Sequence, residues 1–154
     1  MSRKGLIEEP LTHSVIGSFY EVYNVLRFGF LEGLYAAALE RELNEKGHTV
    51  VREAMVSIDY KGKPLGIQRI DMLVDDRLIV EIKSTAILQL TAKRQLYSYL
   101  KGSGLSVGLL LHFGPKPRFY RIVAGDLAGL SEGTTEMREN HVESDLTDLT
   151  DQNE

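Results

Sequence analysis

The sequence predicts a single α/β domain in which a mixed β-sheet is flanked by helices. Two stretches with apolar residues at helical spacing come first, and a change to β-branched sequence begins after Gly47. A third helical stretch separates three predicted strands from a nearly unbroken apolar run, residues 107–113, which is typical of a buried central strand. The predicted order is therefore helix, helix, three strands, helix, two strands.

The three helices are predicted from apolar residues that recur every three or four positions. They span residues 12–27, 30–46 and 88–101. Phe28-Gly29 interrupts the spacing between the first two helices, and Gly47 is a natural stop for the second.

Five strands are predicted from apolar or β-branched runs that are bounded by turn residues. They cover residues 48–60, 67–74, 78–83, 107–113 and 118–123. Lys61-Gly62-Lys63 is the turn between the first two strands, and the polar Asp75-Asp76-Arg77 lies between the second and the third.

The composition is that of an ordinary globular protein. The chain has 154 residues, of which 43% are hydrophobic and 26% are charged, enough for one domain with a buried core. It has no cysteine, which excludes disulfides, thiolate zinc sites and a cysteine nucleophile. No apolar run approaches the ~20 residues needed to span a bilayer, so we expect a cytoplasmic protein.

The net charge of −4 is unevenly distributed. Residues 131–154 contain eight acids and one base, which leaves residues 1–130 with 17 bases and 14 acids. We expect a mildly basic folded domain over residues 1–130 and an acidic tail, disordered or loosely helical, over residues 131–154. A charge of +3 on the domain permits phosphate binding without implying it.

The pairing of residues 67–74 with 78–83 can be deduced from burial. A two-residue loop would place Asp71 and Glu81 on opposite faces, because side chains alternate along a strand. A three-residue loop at 75–77 pairs Val74 with Leu78 and puts Asp71 across from Glu81. Only this register gives one wholly aliphatic face, which comprises Ile70, Met72, Val74, Leu78, Val80 and Ile82.

Two carboxylates side by side in an apolar strand pair repel each other and are costly to desolvate. A bound Mg²⁺ relieves that repulsion, and it also activates water for phosphodiester hydrolysis. Lys83 faces the same way as Glu81, where it can position that water or neutralise developing charge. An ordinary exposed ion pair between Glu81 and Lys83, with Asp71 paired to Arg69 or Lys83, explains the same spacing equally well.

Three motifs resemble those of one nuclease superfamily. Asp71 followed by Glu81-Ile82-Lys83 resembles the D…(D/E)-x-K core of the PD-(D/E)XK nuclease superfamily. Residues 95–99 (QLYSY) are similar to the Q-x-x-x-Y signature of its RecB-like and lambda-exonuclease-like branches. Residues 29–35 (GFLEGLY) resemble the motif for which the GxxExxY protein family is named. The likeness extends over about residues 13–123.

The resemblance implies a restriction-endonuclease-like fold and a Mg²⁺ or Mn²⁺ site. Asp71 and Glu81 correspond to metal ligands, with the carbonyl of Ile82 as a third. Glu32 corresponds to an acid that binds the metal directly or through water, and Lys83 to the catalytic lysine.

Other residues are expected to meet the substrate. By the resemblance, Gln95 orients the lysine or a phosphate, and Tyr99 contacts the substrate backbone or braces its helix. Arg69 is predicted on the same face as the acids, and Lys93 and Arg94 lie on the helix of Gln95, so all three are candidates for phosphate contacts.

The function that this implies is metal-dependent hydrolysis of DNA phosphodiester bonds. A non-catalytic nucleic-acid-binding module and a protein-interaction subunit that binds a partner through its acidic tail remain as alternatives. A homo-oligomer is also open. The four histidines have no metal-ligand spacing, and His112 is expected to be a strand-end residue rather than a catalytic base.

Overall fold

The computed structural model describes residues 8–126, so the predicted acidic tail and the boundary at residue 130 lie outside the described residues. The elements follow the predicted order: α1 (Glu9–Leu26), α2 (Glu32–Glu45), β1 (Val50–Tyr60), β2 (Lys63–Val74), β3 (Leu78–Lys83), α3 (Leu90–Ser103), β4 (Val107–Phe113) and β5 (Pro117–Val123). β2 begins four residues earlier than predicted, because it pairs with β1 as far as the turn at Lys61-Gly62. Within residues 8–126, no helix has both the length and the apolar character to cross a membrane.

The five strands form one mixed sheet in the order β1-β2-β3-β4-β5. All neighbours are antiparallel except β3 and β4, which are parallel and are connected through α3. Helices α1 and α2 cover one face of the sheet, and α3 covers the other. The predicted fold class, a central mixed sheet flanked by helices, is therefore confirmed.

Each face of the sheet buries its own core. On the α1/α2 side, the ring of Phe113 packs 4.2 Å from that of Tyr35 and 4.7 Å from that of Phe19. On the α3 side, Leu96 and Leu100 pack on the central strands. β4 is buried along its whole length, which explains why its sequence is an unbroken apolar run.

The β2–β3 hairpin has the predicted register. Val74 pairs with Leu78 and Met72 with Val80, so the loop contains three residues. Asp75 and Asp76 adopt positive φ angles of 52° and 56°, a conformation that aspartate tolerates better than most residues.

A chain of side chains anchors this loop to the rest of the molecule. The carboxylate of Asp75 accepts a hydrogen bond from the backbone N–H of Thr49 at 2.8 Å and lies 2.7 Å from Nδ1 of His48. Nε2 of His48 lies 2.7 Å from Oγ of Ser14 in α1. The loop that sets the hairpin register is thus connected to both α1 and the start of β1.

The predicted aliphatic face needs one correction. Five of its six residues pack in the α1/α2 core, but Ile70 packs in the α3 core instead. The β1–β2 register passes from Arg52–Met72 to Ala54–Ile70 without a Glu53–Asp71 pair, and Glu53 has a φ angle of 50°. Met72 and Ile70 therefore lie on opposite faces of the sheet, so the regular alternation assumed from the sequence does not continue past Asp71.

Candidate active site

Asp71 and Glu81 meet directly beyond the last ladder pair of β2 and β3. The backbone N–H of Asp71 donates to Oε1 of Glu81 at 3.1 Å, and the N–H of Ile82 donates to Oδ2 of Asp71 at 2.7 Å. At this position, each strand donates a backbone N–H to the carboxylate of the other strand. This reciprocal arrangement confirms that the two acids converge, as the three-residue loop requires.

Glu81 is the most strongly perturbed acid of this site. Its side chain belongs to the buried set, and the residue is only 8% exposed. Burial raises the pKa of Glu81 to about 8, and the negative charge of Asp71 adds to the effect, while the N–H of Asp71 and the ammonium of Lys83 oppose it. A buried carboxyl beside a second acid favours either a proton or a cation.

The donor set fits a hard divalent cation. One oxygen of each carboxylate accepts a backbone N–H, and each group keeps a second oxygen. Mg²⁺ is commonly held by one or two carboxylates and retains several waters, so two acids suffice. Within residues 8–126, no group of three or more His, Cys, Asp or Glu side chains could hold a metal ion, so Glu32 does not form a three-acid set with Asp71 and Glu81.

A cleft of about 360 Å³ lies at the carboxyl end of β3, and its lining includes neither Asp71 nor Glu81. Three of the predicted site residues line it together: Glu32 from the start of α2, Lys83 from the end of β3 and Gln95 from α3. Ligands of open α/β sheets bind at this kind of position, outside the carboxyl ends of strands. The cleft therefore joins the lysine to residues distant in sequence.

The match to a family model decides the classification. The model of the PD-(D/E)XK nuclease superfamily matches residues 9–122, which include every strand and helix of the sheet domain except the last residue of β5. The chain belongs to the PD-(D/E)XK nuclease superfamily.

Solved structures match this superfamily member too. The crystal structure of SSO0001 matches with a TM-score of 0.47 and 21% sequence identity, over 80% of this chain and 62% of that one. The chain thus spans less than two thirds of that protein's length. No curated protein matches the sequence significantly.

Tyr99, the tyrosine of the Q-x-x-x-Y pattern of this superfamily member, is 9% exposed and packs in the α3 core. Burial raises the pKa of Tyr99, the charges of Glu81 and Asp71 raise it further, and a hydrogen bond with Gln95 opposes them. Tyr99 therefore lies near the carboxylates and Gln95 while being almost closed to solvent. Of its two predicted roles, the geometry favours bracing α3 over contacting substrate.

Two of the predicted phosphate contacts lie elsewhere. Lys93 is 5% exposed, and its ammonium lies 3.8 Å from the centre of the Tyr120 ring, because this side of α3 packs on β5. Arg69 is exposed on β2, and its guanidinium lies 4.0 Å from the carboxylate of Glu53 on β1. Arg94 is exposed on α3, and its contact with a phosphate stays a prediction.

Tyr35 organises the approach to Glu32. Its hydroxyl donates to the carbonyl of Arg27 and accepts a hydrogen bond from the N–H of Phe30 at 3.2 Å. Tyr35 itself is fully buried. It therefore fixes the loop between α1 and α2, which carries Glu32 to the cleft, and it does not line the cleft itself.

The sequence interpretation missed how closely His112 is connected to the cleft. His112 is the register partner of Lys83, and its Nε2 lies 2.6 Å from the carbonyl oxygen of Thr85, which lines the cleft. Gly114 leaves room for the ring, because a Cβ there would lie 2.6 Å from Cε1 of His112. The parallel pairing of β3 and β4 was the signal that could have placed His112 beside Lys83.

Proposed function

We propose that this chain is a metal-dependent nuclease that hydrolyses DNA phosphodiester bonds. The observation that carries the proposal is the convergence of Asp71 and Glu81, two residues before Lys83 on β3. Lys83 in turn lines a cleft together with Gln95. A binding module has no need of two acids at such close quarters, since their repulsion and desolvation destabilise the fold.

Asp71 and Glu81 would hold Mg²⁺ or Mn²⁺, with the carbonyl of Ile82 and water as further ligands. The ion, when bound, supplies a Lewis acid for the phosphate and lowers the pKa of a bound water. Glu32 lines the cleft without joining the two acids, so it would act through water.

The protein's own groups orient the reaction. The ammonium of Lys83 positions the attacking water and neutralises negative charge as it develops on the phosphate oxygens. The amide of Gln95 orients Lys83 or a phosphate oxygen from the same cleft. Arg94, exposed on α3, contacts a phosphate of the flanking chain. The Gln95/Tyr99 pair and the motif at residues 29–35 support a RecB-like branch and the GxxExxY family.

Substitution of the central residues tests the proposal. Asp71→Ala and Lys83→Ala should abolish Mg²⁺-dependent cleavage, measured on single-stranded, double-stranded, nicked and RNA substrates with Mg²⁺ and with Mn²⁺. Matched controls are Asp76→Asn, which keeps a side chain that tolerates the positive φ of the exposed hairpin loop, and Lys101→Ala, on the exposed side of α3. Both controls should cleave as the wild type does.

Cleavage that persists in EDTA, or equal rates in Lys83→Ala and wild type, would exclude this mechanism. The alternative, a non-catalytic binding module, is favoured by one observation, the absence of a third acid beside Asp71 and Glu81 among residues 8–126. It predicts DNA binding that survives both substitutions and no cleavage by any variant. Deleting residues 131–154 would test separately whether the tail binds a protein partner.

A further inference from the structure

The cleft has an apolar part that phosphate chemistry does not require. Beyond Lys83, Glu32 and Gln95, its lining includes Ile87 and Leu88, which precede α3, and Ala92 in the first turn of α3. Ile87 is 80% exposed, so most of its side chain is accessible to a ligand in the cleft. Aliphatic surface at this place lowers the affinity for water and for phosphate oxygens alike.

This apolar part is held in position by buried groups. The carbonyl of Thr85 lies 2.6 Å from Nε2 of His112, a residue that is 4% exposed, and Oγ1 of Thr85 donates to the carbonyl of Ile87 at 2.8 Å. The segment that follows β3 is therefore anchored to β4 through Thr85 and His112, and it is held internally by the hydrogen bond between Thr85 and Ile87. A segment fixed in this way presents Ile87 as a preformed surface.

The chemistry of the lining distinguishes between paired and unpaired nucleic acid. A duplex exposes phosphates and sugars while its bases are stacked inside. Its base faces are therefore not available to contact aliphatic side chains. An unpaired nucleotide offers a phosphate together with the apolar face and polar edge of its base. The cleft matches that combination, with the Lys83 ammonium, the aliphatic Ile87 and Leu88, and the amide of Gln89.

We infer that this cleft binds the base of an unpaired nucleotide next to the phosphate that is cleaved. Ile87 and Leu88 contact the base face, Gln89 hydrogen-bonds to the base edge, and Lys83 faces the phosphate. The volume of about 360 Å³ lies within the roughly 300–1,000 Å³ of small-ligand pockets. The inference rests on the proposed nuclease function and specifies its substrate as single-stranded or frayed DNA.

Binding in EDTA tests the inference without cleavage. Fluorescence anisotropy would compare a labelled single strand, the same strand in a blunt duplex, and the same strand with abasic sites. Wild type should prefer the single strand and lose that preference on the abasic strand. Ile87→Ala should weaken single-strand binding about three- to tenfold and leave abasic-strand binding unchanged.

The matched control is Ile67→Ala, because Ile67 is an equally large side chain, 70% exposed on β2 and outside the cleft lining. It should bind all three probes as the wild type does. Equal binding of single strand and duplex, equal binding of abasic and intact strands, or equal effects of the two substitutions would overturn the inference.

The proposed function and this inference fail in different measurements. If the binding pattern holds but no substrate is cleaved with Mg²⁺ or Mn²⁺, the nuclease proposal is wrong and the nucleotide site stands. If duplex DNA is cleaved as fast as single strands and Ile87→Ala cleaves both normally, the nuclease proposal stands and the nucleotide site is wrong.

Discussion

Replacing Glu81 with glutamine should stabilise the metal-free protein, and the gain should grow with pH. Burial and the neighbouring Asp71 raise the pKa of Glu81 from 4.5 to about 8. The folded protein therefore binds this proton more tightly than the unfolded chain, and stability is lost as pH rises from about 4.5 towards 8. Glutamine keeps the shape of the side chain without the charge, so the loss disappears in Glu81→Gln.

The size of the gain follows from the same interval. The interval between 4.5 and about 8, at 1.36 kcal/mol per pH unit, sets a ceiling of about 5 kcal/mol on the difference at high pH. Relaxation and water entry around the charged group reduce such ceilings, so we expect roughly 1–3 kcal/mol. For a domain of this size that corresponds to an increase in Tm of roughly 3–10 °C.

Thermal unfolding in EDTA at a series of pH values measures this effect. Asp76→Asn is the control, because it removes a negative charge from the exposed hairpin loop instead of the buried site. Mg²⁺ should then raise the Tm of the wild type and leave that of Glu81→Gln unchanged, and at a hundred times Kd the stabilisation is about 2.7 kcal/mol. A gain that stays constant between about pH 5 and 9, or one equal to that of Asp76→Asn, would refute the assignment of a charged, metal-binding Glu81.

Three further outcomes test other parts of the structure. Asp75→Asn should lower the free energy of unfolding, measured by chemical denaturation, by roughly 1–3 kcal/mol at pH values above the pKa of Asp75. Burial raises the pKa of Asp75, but the hydrogen bond of His48 and neighbouring charges lower it overall. The extra stability of the wild type should therefore disappear as the pH falls through the pKa of Asp75, whereas the stability of Asp75→Asn should not show this pH dependence. His112→Leu should loosen the cleft and lower kcat/KM for single strands, and His112→Gln should recover part of that kcat/KM because its side chain restores an N–H donor. Equal losses of kcat/KM in the two variants would argue against the anchoring role of His112. Lys93→Met should leave DNA affinity unchanged because Lys93 is buried. Arg94→Met should weaken DNA binding and reduce the slope of log K against log salt by about 0.7–0.9. The reverse result would contradict the positions of these two residues.

The core of the candidate site could be predicted because its geometry depends on local periodicity. Alternation along a strand and the need for one aliphatic face leave a single register for the β2–β3 hairpin, and that register places Asp71 opposite Glu81. The order of helices and strands follows from spacing in the same way. Both are properties of short stretches of chain, so neither requires knowledge of what packs above them.

The change of face at Asp71 could not be predicted, because it coincides with the unpaired Glu53 of β1, which has a positive φ angle. Ile70 packs in the α3 core, and Arg69 lies exposed beside Glu53. Whether Lys93 meets solvent depends on Tyr120, which lies on the last strand of the sheet. These positions depend on contacts between elements distant in sequence, so they cannot be predicted from any single stretch of the chain.

Local sequence patterns were enough to bring two acids and a lysine together in one hairpin, since five aliphatic residues of β2 and β3 are buried on one face in the register that pairs Val74 with Leu78. The surroundings of these three residues depend on the packing of the whole domain. The cleft forms where the start of α2, the end of β3 and the start of α3 come together, and His112 on β4 anchors its wall. Such a site depends on how helices pack on the two faces of the sheet, which is a property of the whole core and not of any one segment.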